Sequence, residues 1–314
     1  MNRTARPSGT ESQSLHDRLA AWRDLVERCG RKPSRKRVHA LRVVTLRIQA
    51  EVEHELSDLP HASHEAQAMM RFGKLADKLR DALGAVRELD VWIGKLKRLP
   101  GSLNVDAEYV PRSTRATIRQ LERLETRLGK KRERAAAKLV AEIEKRQDDL
   151  LEASRDLEKS MGDRVDTDED PAPRLLQEFS AIVAEFPAFD DGNLHEFRKR
   201  IKKIRYVAEI HQADSRCERI ASQMKKAQGS IGEWHDWQVL ARTAGRGKHT
   251  KANEAAELLN SLTEEAYEAA IAECRRVMHR MAALEQEQNL GVNELRKAPV
   301  RSEGTMDAVE RKLA

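Results

Sequence analysis

The chain has 314 residues, with 58 Lys and Arg against 52 Asp and Glu, so its formal net charge is +6. Charged residues make up 35% and aromatic residues only 4%, a composition that favours amphipathic helices and argues against a β-sandwich. The length exceeds one typical core and predicts two domains or one duplicated domain.

The apolar spacing predicts an all-α protein, with segment 1–13 disordered. A first group of helices is expected to begin at Ser14 and to cover about 14–29, 34–56, 63–99 and 113–160, with a bend near Gly84 in the third helix. The acidic segment 161–173, which contains Pro171, is predicted to be a linker. A second group is expected over 174–186, 192–212, 215–244 and 250–288, followed by a polar tail, 289–314.

Two motifs occur twice, in the same order, which predicts an internal duplication. The segment VHALRVVTLRI, which begins at residue 38, aligns without a gap on LHEFRKRIKKI, which begins at residue 194, so that His39 matches His195. Further along, LGAVRELDV from residue 83 aligns on IGEWHDWQV from residue 231, so that Gly84 matches Gly232. The two matches are 156 and 148 residues apart and keep their order, which indicates a duplicated helical unit.

The first motif of the second copy carries a basic stripe beside an apolar arc. At 100° per residue, the stripe spans about 80° of the helix and consists of His195, Arg198, Lys202 and Arg205. Residues 195–205 also include Lys199, Arg200 and Lys203, against Glu196 as their one acid. Basic residues at matched positions of two repeats favour an anion-binding surface over an ordinary solvated face.

The stripe of the first copy is shorter. It consists of Arg35, His39 and Arg42, whereas Leu46 and Gln49 stand at the positions of Lys202 and Arg205 in the second copy. We therefore expect the two halves to contribute unequally to anion binding.

These residues resemble the CHAD family, the "conserved histidine α-helical domain", over about 14–288. The family's first signature is a histidine followed by basic residues three, seven, eight and ten positions on, often with a tyrosine next. The second copy matches it in full, from His195 to Tyr206, whereas the first copy retains His39, Arg42 and Arg47. The second signature is a Leu-Gly pair followed by a string similar to Arg-Asp-Leu-Asp-Val. The segment LGAVRELDV matches it, and IGEWHDWQV is its partner in the second copy.

The resemblance implies two antiparallel helical bundles related by a pseudo-two-fold axis, with the two histidine-bearing helices lining a central basic surface. It also implies that this surface binds inorganic polyphosphate, often on polyphosphate granules. The residues that it implies for binding are Arg35, His39, Arg42, Arg47, His195, Arg198, Lys199, Lys202, Lys203, Arg205 and Tyr206. For His39 and His195 a structural role is an equal alternative. The basic stripe suits such a ligand, because guanidinium groups and lysines bind successive phosphates and release counterions.

Two other binding functions stay open. Any basic surface attracts nucleic acid non-specifically, and the long segment 113–160, with its many opposite charges three or four residues apart, suits a helical scaffold with a protein partner.

We expect neither catalysis, nor a cofactor, nor a bound metal. The sequence has no nucleotide loop or catalytic signature, and Cys29, Cys217 and Cys274 are far apart and outside any metal-binding spacing. Segment 1–13 lacks the apolar core of a secretory signal, and no window approaches eighteen uncharged apolar residues. We therefore expect a cytoplasmic protein that makes no membrane contact.

Overall fold

A computed structural model describes residues 14–56, 59–102, 112–161, 170–211, 214–245 and 254–297, and its side chains as far as residue 288. All elements within these ranges are helices, as predicted. In chain order they are α1 (Leu15–Arg31), α2 (Arg35–Leu56), α3 (His64–Leu96), α4 (Leu99–Ser102), α5 (Arg112–Met161), α6 (Pro171–Glu185), α7 (Leu194–Ile210), α8 (Ser215–Gly245) and α9 (Glu254–Lys297).

Several boundaries differ from the prediction. Helix α3 ends at Leu96 rather than at residue 99, and the short helix α4 was not predicted. Helix α6 begins at Pro171 rather than at residue 174, because proline fits the first turn of a helix and Asp170 caps it by accepting a hydrogen bond from the backbone N–H of Ala172. Helix α9 continues to Lys297 rather than ending at 288, since no proline interrupts it before Pro299. The predicted disordered segment 1–13 and most of the predicted linker lie outside the described residues.

Each half of the chain builds its own hydrophobic core. Helices α1, α2, α3 and α5 enclose the first core, where Trp22 and Phe72 are almost fully buried, and the Trp22 indole N–H donates to Thr45 Oγ1 at 2.9 Å. Helices α6 to α9 enclose the second core around Phe197 and Ile201. The apolar arc predicted for the second histidine-bearing helix is therefore the face that it buries.

The halves meet at two places. Helix α2 packs against α7, and the far ends of α3, α5, α8 and α9 share a third apolar cluster with α4. That cluster includes Leu89 and Leu121 from the first half and Leu240 and Leu259 from the second. Because both contacts are formed by packed side chains, the two histidine-bearing helices are held side by side.

Candidate functional site

The contact between α2 and α7 has a small apolar seam. Leu46 and Ala50 of α2 pack with Tyr206 of α7, and all three are buried. Tyr206, a predicted binding residue, therefore lies within the contact between the helices. Its ring forms cation–π contacts with two neighbouring basic side chains. The Lys202 Nζ lies 5.7 Å and the Arg205 guanidinium carbon 5.3 Å from its ring centroid.

One arginine in each half packs on a glycine of the neighbouring helix. A Cβ atom built on Gly84 of α3 would lie 3.1 Å from Nη1 of Arg42, and one built on Gly232 of α8 would lie 3.1 Å from Nη2 of Arg198. The matched glycines of the second motif therefore make room for the matched arginines of the first. Helix α3 continues through Gly84, where the sequence suggested a bend.

The same two arginines donate to equivalent carbonyl oxygens. Arg42 Nη1 donates to the carbonyl of Arg80 at 3.0 Å, and Arg198 Nε donates to the carbonyl of Gln228 at 3.4 Å. Each carbonyl belongs to the residue four positions before the glycine. These paired contacts support the duplication, although the superposition of the halves stays a prediction.

Lys202 lies at the centre of a group of positive charges. Burial, followed by the charges of nearby arginines, lowers the pKa of its ammonium group from 10.5 to about 7. The arginines that act on it come from three helices, α2, α3 and α7, and are Arg42, Arg198, Arg80 and Arg205. We call these four arginines and Lys202 the central cluster.

Three members of the central cluster form no close ion pair in the described part of the chain, and Glu88 and Asp236 act on Arg42 and Arg198 only from a longer distance. Among the described residues, neither Arg42, Arg198 nor Lys202 forms an ion pair. The other two pair with an acid of their own helix, Arg80 with Asp77 and Arg205 with Glu209, at 2.9 and 2.8 Å. Partly buried cations without a close counter-ion are costly, so this arrangement favours an anionic ligand.

Two acids lie beside the cluster, on α3 and α8. Burial raises the pKa values of both acids, and the charge of Asp236 raises that of Glu88 further, as Glu233 does for Asp236. Asp236 Oδ1 accepts a hydrogen bond from the Trp92 indole N–H at 3.1 Å, and its other carboxylate oxygen lies 3.8 Å from Lys95 Nζ. Asp236 therefore joins α3 to α8, which makes a structural role more fitting than acid–base chemistry.

The two motif histidines lie at equivalent places. His39 is close to Arg87, and the His195 ring lies 5.3 Å from the ring of His235, which is the residue that matches Arg87. Burial lowers the pKa values of both histidines, and neighbouring cations, which include Arg35 beside His39, lower them further. Both imidazoles are therefore neutral at pH 7 in the free protein and would gain charge next to an anion.

Several predicted residues lie outside the cluster. Arg35 packs over Gly94 of α3, whose Cβ would lie 2.9 Å from its Nη2. Three others face acids instead: Arg47 lies 3.4 Å from Glu209, Lys199 lies 2.5 Å from Glu196 and Lys203 lies 4.0 Å from Glu53. Their positive charges are partly neutralised before any ligand arrives.

Sequence reasoning did not assign Arg80, Arg87 or His235 to the site. All three belong to α3 or α8, whereas the basic stripes were identified on α2 and α7. The available signal was the 148-residue separation of the second motif, which matches Arg80 with Gln228 and Arg87 with His235.

The sequence model of the CHAD domain family matches residues 13–245. The chain belongs to the CHAD family. Among solved structures, PptA from Streptomyces chartreusis is similar to this CHAD protein, with a TM-score of 0.55 and 14% identity over 86% of this chain and 98% of that one. This likeness shows a shared fold. No curated protein matches the sequence.

Potential metal ligands and thiols are dispersed in the described part of this CHAD protein. Within those residues, no group of three or more His, Cys, Asp or Glu side chains is placed to hold a metal ion. Cys29, Cys217 and Cys274 are buried and free, and burial raises their thiol pKa values to about 11, 12 and 12. No described helix is long and apolar enough to span a bilayer.

Proposed function

We propose that this CHAD protein binds inorganic polyphosphate at the central cluster. The observation that carries the proposal is Lys202, whose amine lies among four guanidinium groups, of which those of Arg42 and Arg198 form no ion pair within the described residues. Membership of the CHAD family supports a polyphosphate-related function. The proposal is binding without turnover, on polyphosphate granules or on soluble chains.

The chemistry suits a linear chain of phosphates. Arginines bind phosphate oxygens through two parallel N–H groups, and lysine adds a mobile charge. The cluster combines four such forks with one amine, and the buried Tyr206 seam places them along the contact between the halves. A polyanion would add counter-charge to that of Glu88 and Asp236, the two acids that act on Arg42 and Arg198.

Nucleic acid is the less favoured ligand. Proteins that bind single strands use exposed aromatic rings on which bases stack. Here Tyr206 and Trp234 are buried, and the Trp237 ring lies 4.4 Å from Lys95 Nζ. Two of the long helices also bury one side within the fold, since α5 packs on α1 and α3, and α9 packs on α6 and α8.

The test is titration of the full chain with polyphosphate, in the wild type and in Lys202→Leu. Leucine copies Leu46, which is buried at the matching position of the first copy. We expect about tenfold weaker binding, the effect of losing one charge-assisted contact. We also expect a higher melting temperature, because the variant removes a partly buried charge.

The stability effect should depend on pH in a defined direction. The lysine is less protonated in the folded protein than in the unfolded chain between pH 7 and 10.5, so its destabilisation is full below pH 7 and fades as the pH rises. The gain from Lys202→Leu should therefore be largest at pH 6. A matched control is Lys131→Leu, which removes an exposed lysine of α5. Binding by Lys202→Leu equal to that of the wild type contradicts the proposal, as does a wild type that does not bind.

A further inference from the structure

An arginine of α3 stands in for the base that the first copy lacks. At the position of Arg205, the first copy has Gln49, whose side-chain oxygen accepts a hydrogen bond from Arg80 Nη1 at 3.3 Å. In the second copy, Arg205 Nη1 donates to the side-chain oxygen of Gln228 at 3.0 Å. Both halves therefore contain an arginine–glutamine pair between the histidine-bearing helix and its neighbour.

The two pairs have their partners exchanged. Gln49 and Arg205 are 156 residues apart, which is the separation of the first motifs, and Arg80 and Gln228 are 148 residues apart, which is the separation of the second motifs. The arginine is on α7 in the second half and on α3 in the first. Each pair thus keeps one guanidinium while the helix that carries it changes.

The two arginines also have similar surroundings. Each pairs with one acid of its own helix, Arg80 with Asp77 and Arg205 with Glu209. Their side chains are 32% and 21% exposed, so each is reachable from solvent while mostly covered. Gln49 Nε2 also donates to Asp77 at 2.9 Å, which fixes the first pair further.

Arg80 acts on the same centre as Arg205. Its charge lowers the pKa values of Lys202 and Arg42, as expected of a guanidinium that lies within the central cluster. The basic stripe is therefore shorter on α2 itself, but the basic surface of the first half is not, because α3 adds Arg80 to it. Viewed as a surface, the first half presents two guanidiniums near Lys202, from Arg42 and Arg80, and the second half presents Arg198 and Arg205.

We infer that Arg80 is a polyphosphate-binding residue that replaces the missing base of α2, so that both halves of the surface contact the phosphate chain. The inference rests on the proposed function and names a residue outside the family's histidine-bearing helix. Its chemistry is a guanidinium–phosphate contact, equivalent to that of Arg205.

The experiment exchanges the partners of the first pair. Arg80→Gln leaves two glutamines facing each other and should weaken polyphosphate binding about tenfold, as should the matched variant Arg205→Gln. Adding Gln49→Arg to Arg80→Gln recreates the arrangement of the second half. We expect this double variant to recover binding to within about twofold of the wild type, since it restores the number of charged contacts.

The outcomes separate this inference from the proposed function. Wild-type binding by Arg80→Gln, or a double variant as weak as the single one, overturns the role of Arg80. If Lys202→Leu binds more weakly than the wild type alongside either of these results, the proposal that the central cluster binds polyphosphate still stands. Melting temperatures of all variants show whether weak binding reflects unfolding, and recovery in the double variant excludes that explanation.

Discussion

Lys202 makes the central cluster sensitive to pH. Its ammonium pKa of about 7 in the free protein reflects burial and the four arginines around it. A bound phosphate adds negative charge beside the amine and raises its pKa in the complex. Binding above pH 7 must therefore take up a proton, and affinity falls as the pH rises from 7 towards the pKa of the complex.

This effect can be isolated with Lys202→Arg, because arginine stays protonated throughout that range. We expect the wild type to lose up to about tenfold in affinity per pH unit between pH 7 and 9, and the variant to be nearly insensitive. In the free protein the pKa values of His39 and His195 lie below 6.5, and any proton that these histidines take up in the complex affects the wild type and the variant equally. Burial also raises the pKa of Tyr206, which stays neutral. Equal pH slopes in the two proteins would assign the proton to another group.

At the scale of helices, the glycines of the second motif position the arginines of the first. Gly232→Leu would place a side chain where Arg198 Nη2 now lies, 3.1 Å from the Cβ position, and so displace the guanidinium. We expect polyphosphate binding to fall about tenfold, as for the loss of one charged contact. Helix α8 should tolerate the change, since leucine has a higher helix propensity than glycine by about 0.5–1 kcal/mol.

The matched control lies one turn earlier in the same helix. A Cβ atom on Gly229 would meet no atom within 4 Å, so Gly229→Leu should preserve binding and raise helix stability by a similar amount. Titration and thermal melts of the two variants measure both effects. Equal binding by the two variants would show that the position of Arg198 does not matter.

The sequence predicted correctly those features that depend on the residue pattern of a single helix. The apolar arc of α7, with Phe197 and Ile201, is visible in the sequence and is buried in the structure. The site depends on neighbouring helices, and that is where the sequence was insufficient. Arg80 joins the cluster through its bond to Gln49 on another helix, and Tyr206 is buried because Leu46 and Ala50 cover it.

Charge neutralisation across helices was equally hidden. Arg47 counted as a free base on α2, yet it faces Glu209 of α7, which already pairs with Arg205. Lys203 faces Glu53 from the opposite direction. Such pairs become visible only once α2 and α7 are placed side by side, because each partner belongs to the other half of the chain.

For the whole molecule, the placement of charge matters more than its total. The net charge is only +6, but the central cluster concentrates five cations where the halves meet. A second basic groove lies between α3 and α5 and includes Lys78, Lys131, Arg134 and Lys138. Since α3 turns Lys78 towards this groove and Arg80 towards α2, the two surfaces lie on opposite sides of that helix.

The two surfaces should differ in salt dependence and in ligand. Five contacts to a flexible single chain predict a slope of log affinity against log salt of about −3 to −4 for polyphosphate.

Two double variants test which surface sets that slope. Arg198→Gln/Lys202→Leu should make it shallower by about 1 to 2, whereas Lys131→Gln/Lys138→Gln, which removes the same charge from the second basic groove, should leave it unchanged. The lysines of the second basic groove are exposed, so duplex DNA should bind there non-specifically and lose affinity mainly with the second pair of substitutions. Titrations of both ligands at four salt concentrations measure the slopes. If both double variants reduce the polyphosphate slope equally, polyphosphate responds to overall charge, and the central cluster is not its specific site.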